Sequence, residues 1–300
     1  MTMINEIQRL KEEKNAVILA HYYVNDEVQA IADYVGDSFY LAKVAKSVDK
    51  DTIVFCGVSF MGESAKILNP EKTVLMPDLS ADCPMAHMAD INKIEALRKE
   101  YDDLAVVCYI NSTAELKAHS DVCVTSSNAV KIVKALPNHN IFFIPDENLG
   151  RHVAEQVPEK NIILNDGYCH VHVNITPDSV NAVKAEHPGA EVLAHPECKK
   201  DVLVYADYIG STADIIAYAK KSECSEFIIC TEDGVSYKLK SENPDKKFYF
   251  GGKPCCKDMK LNTLEKIAHV LKTGDNEVLV SDEKREKALK PLDKMLEMAK

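Results

Sequence analysis

The apolar positions of this chain fall in short continuous runs separated by stretches with helical spacing. The run AVILAH starts at Ala16, AVVCY at Ala105, and AEVLAH at Ala190. Each opens a segment of the same layout. A β-branched run ends in polar residues, and a short helical stretch follows. Then come a small strand (ADYVG, DVCVT, ADYIG), a Gly/Ser/Thr turn and an amphipathic helix. Two further apolar runs complete each segment. TIVFC, NIFFI and EFIIC lead into a polar loop and a helix start, and TVLM, NIIL and FYF lead into a loop that ends in cysteine. The pattern predicts β-α-β-α-β-α-β three times. Continuous apolar strands alternating with helices predict a small parallel sheet covered on both faces.

The expected fold is therefore α/β, with three homologous three-layer units spanning 1–90, 91–175 and 176–300. A repeat of about 86 residues buries too little surface to stand well alone. Three units around a pseudo-threefold axis with a central site solve that problem, whereas three duplicated domains without a shared centre do not. Ligands bind beyond the carboxyl ends of parallel strands, and polar residues stand there in every unit. Met1 to Lys14 carries helical spacing at Ile4, Ile7 and Leu10. After Cys256, two helices near Asn262–Lys272 and Asp282–Ala299 are expected to close the assembly on a neighbouring unit.

Composition narrows the function. The formal net charge of −11 argues against a nucleic-acid or anionic-membrane surface. It leaves room for an anionic small substrate held by a few local donors. No apolar run approaches the roughly 18 residues of a membrane helix, and the charged N-terminus lacks the apolar core of a secretory signal. A cytoplasmic protein is expected. Its ten cysteines are then not read as disulfides. No Cys-x-x-Cys occurs, so a metal site has to be assembled from distant parts of the chain.

Three cysteines stand in register. Cys83 and Cys169 each follow the last strand of a unit, 86 positions apart, and Cys256 lies 87 further on. Cys255 fits the spacing equally well. One thiolate from each of three symmetric units suits three irons of a cubane cluster and leaves the fourth open, where it can act as a Lewis acid. Three thiolates and a water also suit zinc. Cys56, Cys108, Cys123 and Cys230 lie within apolar strands and are assigned to the core.

The first strand of each unit ends in His21 and Tyr23, Tyr109 and Asn111, or His195 and Glu197. Seventeen positions after the first of each pair come Ser38, Ser126 and Thr212, each expected to start and cap a helix. Helix N-termini attract anions. Glu197, His195, Tyr23 and Tyr109 are the candidates for proton transfer. His172, three residues after Cys169, is expected to touch substrate or metal, and His170 to be exposed.

These residues sit in a larger pattern: LAHYY (Leu19–Tyr23), GDS (Gly36–Ser38), Met61-Gly62-Glu63, YINS with Tyr109 and Asn111, and VTSSNA around Ser126. PDENLG (Pro145–Gly150), Cys169-x-x-His172, HPEC (His195–Cys198), GST (Gly210–Thr212) and Cys256-x-x-Met259-Lys260 complete it. The pattern spans nearly the whole chain and resembles the quinolinate synthases of NAD biosynthesis. The resemblance implies a [4Fe–4S] cluster on Cys83, Cys169 and Cys256, choosing Cys256 because methionine follows by three. It implies a transferase with hydro-lyase-like steps, joining iminoaspartate to dihydroxyacetone phosphate to give quinolinate, phosphate and two waters. It implies substrate contacts at His21, Ser38, Tyr109, Asn111, Ser126, His172, His195, Glu197, Ser211 and Thr212, with L-aspartate oxidase or dehydrogenase as the source of iminoaspartate. The rival readings are a reductive or radical enzyme with three cysteines from three α/β units, as in some isoprenoid-pathway reductases and diphthamide-synthesis enzymes, and a non-enzymatic iron–sulfur carrier or sensor.

Overall fold

The computed structural model of the chain describes residues 2–300. Helix α1 (Met3–Glu13) is capped by the Thr2 side chain and buries Ile7 and Leu10. The first unit then runs β1 (Ala16–His21), α2 (Asp26–Ile31), β2 (Tyr34–Gly36), α3 (Ser38–Ser47), β3 (Thr52–Cys56), α4 (Ser59–Leu68) and β4 (Thr73–Leu75). The second opens with α5 (Ile91–Glu100) and continues β5 (Ala105–Tyr109), α6 (Ala114–Ala118), β6 (Val122–Val124), α7 (Ala129–Ala135), β7 (Asn140–Ile144), α8 (Glu147–Gln156) and β8 (Asn161–Leu164). The third opens with α9 (Pro177–Glu186). It continues β9 (Glu191–Ala194), α10 (Lys200–Leu203), β10 (Tyr208–Ile209), α11 (Thr212–Lys221), β11 (Glu226–Cys230), α12 (Val235–Glu242) and β12 (Lys247–Phe250). Helices α13 (Leu264–Thr273) and α14 (Asp282–Met298) follow.

Three parallel four-stranded sheets result among the described residues, with strand orders β2-β1-β3-β4, β6-β5-β7-β8 and β10-β9-β11-β12. The β-α-β-α-β-α-β layout holds in all three units, and α1, α5 and α9 give each unit a leading helix as well. The first strand is central in every sheet. All six residues of β1 are buried, as expected of a strand with helices on both faces. Registered pairs such as Ala20 with Cys56 and Ala194 with Cys230 bring the ends of the first and third strands side by side.

Two polar devices recur with the repeat. Asp33, Asp121 and Asp207, each just before or at the start of the second strand, accept the backbone N–H of Ile18, Val106 and Val192 at 2.8, 2.7 and 2.8 Å. Each pins a short edge strand to the central one. Lys72, Lys160 and Lys246 donate to carbonyls at the ends of α3, α7 and α11, including Val48, Leu136 and Ala219. A cation there satisfies orphan carbonyls and opposes the helix dipole.

The units are not equivalent in packing. The first two share one continuous core with α13 and α14, while the third has separate apolar clusters on the two faces of its sheet. Helix α13 packs on α1, and α14 on α4, α6 and β6. The terminal helices thus follow the third unit in sequence and lock the first two together in space. Among the described residues, no helix is long and apolar enough to cross a membrane.

Candidate active site at the junction of the three units

One cavity gathers the strand ends of all three sheets. It is lined by His21, Tyr23, Tyr109, Asn111, His195 and Glu197 at or just beyond the ends of the first strands, by Ser38 and Thr212 at helix starts, and by Ser126 three residues before α7. Cys83, Cys169, Cys256 and His172 come from the closing loops. Ser211 is the exception among the candidates. Its hydroxyl caps α11 by accepting the Asp214 N–H at 3.2 Å, so it supports the cavity wall without lining it.

The capping assignment needs correction. Asp37, Asn128 and Ser211 occupy the N-cap positions, not Ser38, Ser126 and Thr212. Ser38 and Thr212 are the first helical residues, where the side chain no longer reaches the free N–H of the third helical residue. Asp37 and Ser211 have extended backbone and make that contact. The consequence is functional: the three cavity hydroxyls are released from capping.

His21 and His195 stand in register, and the backbone fixes their tautomers in the same way. The Tyr23 N–H donates to His21 Nδ1 at 3.2 Å, and the Glu197 N–H donates to His195 Nδ1 at 3.3 Å. A backbone amide only donates, so each Nδ1 is an acceptor and the proton sits on Nε2. Burial pushes both imidazoles down to about 3, against the opposing pull of Glu197. At neutral pH they are uncharged N–H donors. His195 Nε2 lies 3.2 Å from Ser126 Oγ.

Glu197 is buried, and its Oε2 lies 2.7 Å from His172 Nδ1. Burial alone would raise this carboxyl. The neighbouring His172 imidazole outweighs burial and holds it down to about 2. The His195 Nδ1 contact at 3.8 Å is no ion pair, because that nitrogen carries a lone pair turned to the Glu197 N–H. Beyond His172 the network continues. Its Nε2 is 2.9 Å from Thr231 Oγ1, which is 2.8 Å from the Tyr23 hydroxyl, itself 2.6 Å from Thr212 Oγ1. Hydrogen bonds therefore join His172 through Thr231 to Tyr23 and Thr212, the charge contact ties Glu197 to that path, and the set touches all three units. Burial, reinforced by Glu197, raises both Tyr23 and Tyr109 well above the ordinary phenol range, so both are neutral phenols. Glu197 Oε1 and Asn111 Oδ1 are buried acceptors with no partner.

The thiols divide as the sequence predicts. Cys56, Cys108, Cys123 and Cys230 are buried in the strands, and Cys198 is buried beside β11. Cys83, Cys169 and Cys256 reach the cavity, whereas Cys255 is exposed to solvent and does not line it. Burial pushes Cys256 up to about 11 and Cys83 and Cys169 higher still. Three such thiols facing one space are costly as bare thiolates, a cost that a bound cation offsets. This soft donor set fits an iron–sulfur cluster, one sulfur from each unit. His170, expected to be exposed, is half-buried and lines the cavity next to Cys169.

Several residues of the site escape a reading by type alone. Thr231 bridges His172 and Tyr23. Asp146 and Glu232 are buried carboxylates that hold the cysteine loops. Both follow the third strand of their unit by two residues, so the repeat register held the signal. Other motif residues prove to be ties between units. Glu63 Oε2 accepts the Ala114 N–H at the start of α6, and Lys260 Nζ donates to the Tyr23 carbonyl at 2.9 Å. Gly234 sits so close that an added Cβ would stand 2.8 Å from the Tyr23 Cα.

Residues 5–297 match the family model described as quinolinate synthetase A protein. The chain belongs to the quinolinate synthase family. It is 58% identical over 297 residues to the quinolinate synthase of Fusobacterium nucleatum, covering 99% of each chain. It is 54% identical over 295 residues to that of Caldicellulosiruptor bescii and 52% identical over 295 to that of Clostridioides difficile. Both alignments span 98% of this chain and 97% of the relative. The repeat-derived cavity of this family member thus coincides with the motifs that carried the resemblance.

Proposed function

We propose that this chain is a transferase that condenses iminoaspartate with dihydroxyacetone phosphate, releasing quinolinate, phosphate and two waters. The observation that carries the reading is the pairing of two unlike halves in one cavity. One half is a set of neutral N–H and O–H donors suited to carboxylates. The other is three register-matched thiols. On this reading Cys83, Cys169 and Cys256 hold a [4Fe–4S] cluster, which supplies a Lewis acid for a substrate oxygen.

The chain's own residues do the rest. His21 and His195 present Nε2–H groups, and Ser38, Ser126 and Thr212 present hydroxyls at or near helix starts. Together they bind the carboxylates of iminoaspartate without placing a fixed cation among the thiols. Asn111 Oδ1 and Glu197 Oε1, both without partners, accept from the substrate nitrogen. Tyr109, a neutral phenol, lines the same cavity as Glu197. The acidity of Glu197 makes it a poor base by itself. Its contact with His172 at 2.7 Å instead orients that imidazole, the role of a carboxylate behind a catalytic histidine. Thr231 and Tyr23 extend the path along which protons removed during ring closure reach the departing hydroxyls. An aspartate-oxidising enzyme supplies the iminoaspartate.

The test is spectral. Reconstituted protein is titrated without oxygen with a dicarboxylate analogue of iminoaspartate, and the cluster absorption is followed. A saturable shift supports a substrate-binding site beside the cluster. A full cluster blind to dicarboxylates contradicts the reading and favours an electron carrier.

A further inference from the structure

The loops that carry Cys169 and Cys256 are held by one device used twice. Asp146 stands two residues after the end of β7, and Glu232 stands two residues after the end of β11. Both side chains are wholly buried. Asp146 Oδ2 accepts the backbone N–H of Cys169 itself at 3.1 Å. Glu232 Oε1 accepts the backbone N–H of Cys256 itself at 3.0 Å. Each carboxylate is fixed in turn by its other oxygen. Asp146 Oδ1 accepts the Leu149 N–H at the start of α8, and Glu232 Oε2 accepts the Gly234 N–H at 2.7 Å. Lys260 Nζ adds a 3.1 Å ion pair to Glu232. Each cysteine amide is therefore bolted to the rigid end of its unit's third strand.

The first unit departs from this scheme. Val58 occupies the matching position, so no carboxylate is available there. The Cys83 loop is tied instead through Ser59, whose N–H donates to the Ala81 carbonyl at 2.8 Å and whose hydroxyl bonds Asp82. A side chain that makes the same bond to two cysteines in different units, while the third unit solves the problem differently, is selecting for the position of the sulfur. Helix capping alone does not require either contact.

We propose that Asp146 and Glu232 are positioning residues for the cluster thiolates: by taking the amide N–H of Cys169 and Cys256, they preset the sulfurs for cluster assembly and retention. The proposal rests on the cluster reading given above. A carboxylate-to-amide bond is among the stronger neutral-donor contacts, and loss of groups that orient metal ligands costs roughly 10–100-fold in metal affinity.

The test uses the full chain reconstituted with iron and sulfide, and reads iron and labile sulfide per chain, the cluster spectrum, and the rate of iron loss to a chelator. Asp146→Ser keeps a good cap for α8 but is too short to hold Cys169 as well. Glu232→Ala removes the acceptor entirely. Both are expected to lose iron about tenfold faster or more, with an altered cluster spectrum, whereas Asp146→Asn and Glu232→Gln, which keep one acceptor oxygen for the cysteine amide at the expense of the contact to Leu149 or Gly234, are expected to lose iron more slowly than the serine and alanine variants. Thermal unfolding of the metal-free proteins separates a general loss of fold from a loss of cluster. Parent-like iron retention in the serine and alanine variants overturns the proposal, as does iron loss that the amide variants share in full. If the parent chain itself takes up no cluster, the underlying reading fails and this inference falls with it.

Discussion

Glu197 Oε2 lies 2.7 Å from His172 Nδ1, and the two side chains come from different units of the repeat. Neither position suggests the other in sequence. The contact turns a buried carboxylate into a fixed anion and gives His172 a counter-charge. Replacing Glu197 with Gln keeps the volume and removes the charge. Turnover is expected to fall by about 10²–10⁴-fold, the usual range for a lost acid–base partner, with the cluster spectrum intact. Full activity in that variant would remove Glu197 and its pairing from the mechanism.

Thr231 joins His172 to Tyr23, with bonds of 2.9 and 2.8 Å. Thr231→Val is nearly isosteric and cuts the path. It is expected to lower kcat by about tenfold or more, and Tyr23→Phe is expected to behave similarly. The double variant should be little worse than either single one, because both break the same chain. Fully additive losses would show that the two residues act separately.

His21 is buried, and its folded value of about 3 lies below the ordinary 6.5. The unfolded chain therefore binds this proton first as pH falls. The group's contribution to stability is complete above about pH 6.5 and is lost progressively toward pH 3, at about 1.4 kcal/mol per unit. His21→Asn lacks that titration. In denaturant unfolding of the metal-free protein, the parent should lose stability relative to this variant between about pH 6.5 and 4. Parallel stability curves would mean that His21 titrates normally in the folded chain.

Cys255 and Cys256 are neighbours in sequence with opposite surroundings. Cys256 lines the cavity and Cys255 faces solvent. Cys255→Ser is expected to bind iron like the parent, and Cys256→Ser to assemble no stable four-iron cluster. A full cluster in Cys256→Ser would identify Cys255 as the ligand.

Much of this arrangement is legible in the sequence because the chain repeats. Register alone places His21 with His195 and Cys83 with Cys169, and hydrophobic runs give the strands. Two kinds of information are missing from it. The first is which of two adjacent residues takes a local job. Capping passes to Asp37 and Ser211 since only the non-helical residue can reach back to the exposed N–H groups, and that frees Ser38 and Thr212. The second is contact between units. The Glu197–His172 pair, the Thr231 bridge and the packing of α14 on α6 depend on how the three units are set against each other, which no local period encodes.

The central claim is tested most directly by turnover without a reductant. The protein is reconstituted and assayed free of oxygen with iminoaspartate and dihydroxyacetone phosphate, and quinolinate and phosphate are measured together. The account predicts equal amounts of both products, and loss of both after brief exposure to air. A confirmed four-iron cluster that yields neither product, or one that forms product only when an electron donor is added, would contradict it.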